Sequence, residues 1–87
     1  MKTYKNWIGF FKNAKREDWI NKLNHRIITI HYLGMSRDLG YKVYSLEVPG
    51  YHYKYNTKTS MSYDEVSALA REYMDEQNTN EGMSRFA

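Results

Sequence analysis

The sequence predicts an α+β domain, a three-stranded antiparallel sheet with one helix before it and one after it, in the order α-β-β-β-α. Three observations predict this. Two β-branched and aromatic runs, 26–33 and 41–48, are followed past Pro49-Gly50 by a run over 51–59 that alternates without exception. A capping box at Ser62 and Glu65 opens a stripe of apolar residues at helical spacing. The first segment also carries a helical stripe, with Tyr4, Trp7, Ile8 and Phe11 at i, i+3, i+4 and i+7.

That first stripe predicts a helix over 4–14 with Thr3 as N-cap. Lys15-Arg16-Glu17-Asp18 interrupts it, and Asp18 can cap a second helical piece bearing Trp19, Ile20 and Leu23. One bent helix and two short ones fit equally well. In RIITIHYL, Ile28, Ile30 and Tyr32 share one strand face and Thr29 and His31 the other. The run 41–48 sets Tyr44, Leu46 and Val48 against Tyr41, Val43 and Ser45, apolar on both sides, which suits a central strand. Pro49-Gly50 marks a turn. The third strand, 51–59, has Tyr51, Tyr53, Tyr55, Thr57 and Thr59 on one face and His52, Lys54, Asn56 and Lys58 on the other. The last helix spans 63–77 and buries Val66, Leu69, Ala70, Tyr73 and Met74. Residues 1–77 form one domain, and the polar, Gly-containing stretch 78–87 reads as a disordered tail.

With 87 residues the chain fits a single small core, and without cysteine it relies on packing for stability, which suits a reducing cytoplasm. The apolar residues near the start are broken up by Lys5, Asn6 and Lys12, unlike a signal peptide, and no run is long enough to cross a membrane. The net charge of +3 is unevenly spread. Residues 1–59 hold eleven Lys/Arg against four acids, and residues 60–87 hold two against six. A split of this kind can steer encounter with a charged partner, or reflect how solvated faces fall out.

Catalytic chemistry is not expected. His25, His31 and His52 have no metal-ligand spacing, the carboxylates do not cluster, and neither a nucleophile elbow nor a phosphate-binding glycine loop occurs. No metal or other cofactor is expected either. The nine Tyr, three Phe and two Trp instead suggest surface recognition, because tyrosine supplies large contact area with few rotatable bonds. Tyr41, Tyr51, Tyr53 and Arg37, on either side of the 41–48 strand, are the expected partner-binding residues. The alternative is nucleic-acid binding by a basic sheet face of Arg26, Lys42, Lys54 and Lys58 together with the first helix.

Residues 40–74 resemble the N-terminal domain of the HicB antitoxins, with Gly40, Tyr41, Val43, Pro49, Gly50, Ser62, Asp64 and Glu65 in the order of that family's motif. The resemblance implies a non-catalytic βββα unit that binds a small toxin ribonuclease. The chain's style, free of cysteine and rich in Lys, Asn and Tyr, is similar to that of small phage anti-defence proteins, including anti-CRISPR inhibitors. The order α-β-β-β-α is also similar to that of the double-stranded-RNA-binding domain, but Asp64 and Glu65 would repel phosphates where that family carries lysines. The expectation is therefore a protein-binding inhibitor or antitoxin-like module that docks on a nucleic-acid-processing enzyme, such as a toxin ribonuclease or a phage-defence effector. A second copy of the chain is a further candidate partner.

Overall fold

The computed structural model describes residues 2–50 and 52–84, and the side chains of the last helix as far as Gln77. Five antiparallel strands lie side by side in chain order: β1 (Lys2–Tyr4), β2 (Trp7–Lys12), β3 (Arg16–Asn21), β4 (Ile27–Met35) and β5 (Lys42–Glu47). A single helical turn, α1 (Tyr53–Asn56), and a long helix, α2 (Tyr63–Ser84), follow. The fold is mostly β, a five-stranded meander with one substantial helix, which corrects the three-stranded α-β-β-β-α expectation.

The correction starts at the N-terminus, where no helix forms. A 3-4 spacing contains adjacent apolar pairs, and such pairs equally suit a strand with apolar side chains on both faces. Here Trp7-Ile8 and Trp19-Ile20 are adjacent apolar pairs, and each pair divides between the two faces of a strand. Trp7 pairs with Asn21, Ile8 with Ile20 and Gly9 with Trp19, a register that places both tryptophans on the helix-facing side. Lys5 makes the tight turn into β2 with φ of 51°, a left-handed conformation that would break any helix. Asp18, expected as a helix cap, is a strand residue that accepts the Thr29 hydroxyl at 2.8 Å.

β4 and β5 occupy the two runs expected to be strands, with Ile28, Ile30 and Leu46 buried on one face. β5 lies at the sheet edge rather than the centre. Among the described residues its outer side takes a bridge in which the Tyr44 amide donates to the Met61 carbonyl at 2.8 Å.

The alternating segment is not a strand. Gly50 turns with φ of 70°, and after it Asn56 Oδ1 accepts the His52 amide while the Tyr55 and Asn56 amides donate to the His52 carbonyl. The Thr57 hydroxyl closes the turn on the Tyr53 carbonyl at 2.6 Å. Asn and Thr side chains compete with a sheet ladder in this way. The turn puts Tyr55 in the core and leaves Tyr53 in solvent, where a strand would have buried both.

α2 begins as expected. Ser62 Oγ accepts the Glu65 amide and Glu65 Oε1 accepts the Ser62 amide, both at 3.2 Å. Val66, Leu69, Ala70, Tyr73 and Met74 are buried against Trp7, Ile28, Ile30, Leu46, Val48, Tyr55 and Met61. The helix continues to Ser84, past the expected end at 77. It packs mainly on β4 and β5 and reaches Trp7 of β2, the rest of the helix-facing side of β2 and β3 stays partly open, and no described helix or strand covers the opposite sheet face.

Candidate functional site

Two features of this architecture can recognise another molecule: a hairpin arm and a cluster around a buried carboxylate.

The arm is the outer part of β4 and β5. Pairing of β3 with β4 ends at Arg16 and His31, whereas β4 continues to Met35 and pairs only with β5. Residues 33–42 therefore form a two-stranded ribbon. A bulge between Tyr32 and Gly34, with Gly34 at φ of 119°, sets its base. Its tip is tied by Ser36, whose hydroxyl accepts the Leu39 amide and whose amide donates to the Tyr41 carbonyl. The ribbon is unusually apolar for a projection into water: Leu33 is 50 %, Met35 59 %, Leu39 45 % and Tyr41 37 % exposed. Arg37 and Lys42 supply positive charge beside them.

Of the expected partner-binding residues, Tyr41 and Arg37 lie on this arm. Tyr53 stands 76 % exposed on α1, beside the other end of β5, and Tyr51 lies outside the described residues. The expected basic sheet face is not assembled. Lys42 opens β5 at the arm, Arg26 precedes β4 at the opposite end, Lys54 is on α1 and Lys58 is in the loop beyond it. Lys54 pairs with Glu72, and Arg26 donates to Gln77 Oε1 at 2.6 Å.

Those contacts also account for part of the charge split. Acids of α2 hold basic and hydroxyl groups from the first part of the chain: Asp75 pairs with Lys5 at 2.5 Å and accepts the Tyr4 hydroxyl at 3.0 Å, Glu72 holds Lys54, and Glu76 accepts the Tyr55 hydroxyl. The hydrogen bond from Lys5 holds Asp75 below its ordinary range. Burial, together with Glu76, pushes the Tyr55 hydroxyl well up, so it stays protonated as a donor.

The second feature centres on Glu17, which is 6 % exposed. Strand alternation points it to the helix-facing side, next to Ile30 of β4. Trp19 Nε1 donates to its Oε2 at 2.6 Å, the Tyr63 hydroxyl donates to Oε1 at 2.7 Å, and Lys12 Nζ lies 3.5 Å from Oε1. Burial opposes its charge, but these three partners outweigh burial and hold its pKa below the ordinary value. The Tyr63 hydroxyl is raised, by burial first and by Glu17 second. Tyr32, Tyr44 and Tyr63 stand in a row beside it, with centroids 5.4 Å apart at each step. Glu17 lines three neighbouring clefts of about 230, 440 and 350 Å³.

Sequence reasoning missed this cluster because Glu17 sat inside what reads as a break between helices. The Glu17-x-Trp19 alternation, which puts a carboxylate and an indole on one strand face, was the available signal. No three His, Cys, Asp or Glu side chains converge on a metal-sized site among the described residues. Nor is any described helix long and apolar enough to cross a membrane. Comparison with family models, curated proteins and solved structures finds no match to the chain.

Proposed function

We propose that this chain is a small, non-catalytic protein-binding module of the cytoplasm that docks through its β4–β5 arm on a nucleic-acid-processing enzyme, as an inhibitor or antitoxin-like partner. The exposed apolar arm carries this reading. Four large apolar side chains within ten residues of a two-stranded projection are costly in water, and a partner's groove would bury them. Arg37 and Lys42 suit a groove with an acidic rim, which fits a protein more readily than an apolar-free phosphate backbone. Nucleic-acid binding draws less support, since its four expected cations are scattered and two are already engaged.

The test compares the wild type with Met35→Asp/Leu39→Asp as bait in native lysate, with and without nuclease treatment. Both residues lie outside the core, so the melting temperature should hold. A nuclease-resistant protein partner lost in the double variant supports the reading. Retention of that partner by the double variant, or recovery of nuclease-sensitive material alone, refutes it.

A further inference from the structure

We infer that the Glu17 cleft is a receptor for an alkylammonium group, the end of a lysine side chain presented by another protein, and that Lys12 occupies it in the free chain. The placement of Lys12 shows the chemistry. Its ammonium lies 5.4 Å from the Tyr63 ring centroid and 3.5 Å from Glu17 Oε1, so an aromatic face and a carboxylate already flank one cation. The cleft of about 230 Å³ beside it is walled by Tyr32, Tyr44 and Tyr63, leaving room for a second aliphatic stem.

Glu17 is held as an anion by its partners, yet it can accept more. It receives one short hydrogen bond at each oxygen, from neutral donors, while its single cation is farther than the roughly 2.8 Å of a tight ammonium–carboxylate bond. A carboxylate offers about four lone-pair sites, so acceptor capacity remains on a group that is almost fully buried. Lys12 holds its place loosely: its side chain is 56 % exposed. Arg16 also lines this cleft but directs its guanidinium to the opposite sheet face, 3.3 Å from Asp18 and 4.9 Å from the Phe11 centroid, and Lys2 and Arg71 line the adjoining cleft. Binding would exchange an internal ammonium for an external one. Trimethylation of the incoming lysine should weaken it, since a trimethylammonium keeps its charge for the aromatic wall but has no N–H to donate to Glu17.

This site adjoins the base of the arm through Tyr32 and Tyr44. Its test uses no partner protein, so the two readings can fail independently. The probes are Nα-acetyl-lysine amide, its Nε-trimethyl form and, as the uncharged control, Nα-acetyl-norleucine amide. The readout is the NMR shift of the Trp19 indole N–H, which is bonded to Glu17, with the buried Trp7 indole as internal reference. Saturable movement is expected with both ammonium probes and not with the control. Lys12→Ala, at an exposed position, should tighten binding about fivefold by removing the internal competitor, and Glu17→Gln should abolish it. Equal shifts with norleucine, no gain in Lys12→Ala, or undiminished binding in a folded Glu17→Gln would each overturn the inference.

Discussion

Tyr55→Ala and Tyr53→Ala, two residues apart, should behave in opposite ways. In an alternating strand both rings would share one face and both truncations would cost alike. In the structure Tyr55 is fully buried, its ring 5.1 Å from the Tyr73 centroid and 4.7 Å from that of His52, with its hydroxyl on Glu76. Tyr53 is in water. Removing a buried aromatic ring costs about 3 to 5 kcal/mol, whereas truncating an exposed one changes stability by less than about 0.5 kcal/mol. At about 4 to 8 °C per kcal/mol for a domain of this size, Tyr55→Ala should lower the melting temperature by at least 12 °C or so, and Tyr53→Ala by only a few degrees. Tyr55→Phe separates the hydroxyl from the ring, losing one hydrogen bond and about 1 kcal/mol. Urea titrations monitored by circular dichroism, analysed at constant m, measure all three. Equal losses for Tyr53→Ala and Tyr55→Ala would mean that 52–57 is extended and that the α1 turn is wrong.

Further outcomes follow from the same packing. Leu69→Ala, in the centre of the buried helix stripe, should cost about 2 to 4 kcal/mol, while Glu72→Ala, which removes a half-exposed pair with Lys54, should cost under about 0.5 kcal/mol in the same titrations. Ser62→Ala should lose about 1 kcal/mol, because the Glu65 amide then lacks its capping partner. For Glu17, whose pKa is lowered from 4.5 on folding, the stabilisation is complete above that value and drains away as pH falls through the lower folded pKa. Acid unfolding of Glu17→Gln should therefore show a shallower pH dependence below 4.5 than the wild type, and superimposable profiles would refute this.

What the sequence made legible were elements with one signal each. The capping box worked because Ser62 and Glu65 satisfy each other locally, whatever the tertiary context. Strands 27–35 and 42–47 were readable because β-branched residues cluster there with few competing signals. The N-terminal region misled because β2 is apolar on both faces and β3 adds the adjacent pair Trp19-Ile20, which erases the alternation and leaves a spacing that a helix also satisfies. The better signal was asparagine. Asn6, Asn13 and Asn21 recur every seven or eight residues, and each lies at a hairpin turn. Asn13 Oδ1 accepts the Lys15 and Arg16 amides, and Asn21 Oδ1 accepts those of Leu23 and Asn24. At 51–59 the error had the opposite cause: a perfect period of two lost to Asn56 and Thr57 side chains that bond their own turn.

The proposed arm includes Tyr41 and Arg37, which the sequence suggested, whereas the Glu17 cluster depends on how the helix sits on the sheet. Under the single helix the buried apolar layer takes in Trp7 of β2 and thins out toward Trp19 of β3. Trp19 is only partly buried, and Glu17 can sit under the helix N-terminus as a hydrogen-bonded anion because no apolar side chain covers that space. Glu17 joins β2 through Lys12, β3 through Trp19 and α2 through Tyr63, so whatever displaces Lys12 acts on the join between sheet and helix. The arm begins at the next residues out, with Tyr32 and Tyr44 forming both its base and the wall of the cleft. A partner that buried Leu33, Met35, Leu39 and Tyr41 would come within reach of this aromatic row. Charge on that partner would then be read at Glu17, and apolar area along the arm. A binding protein can obtain specificity from such a pairing, because a competitor that satisfies the arm but lacks the cation would leave Lys12 on Glu17 and gain only the contacts of the arm.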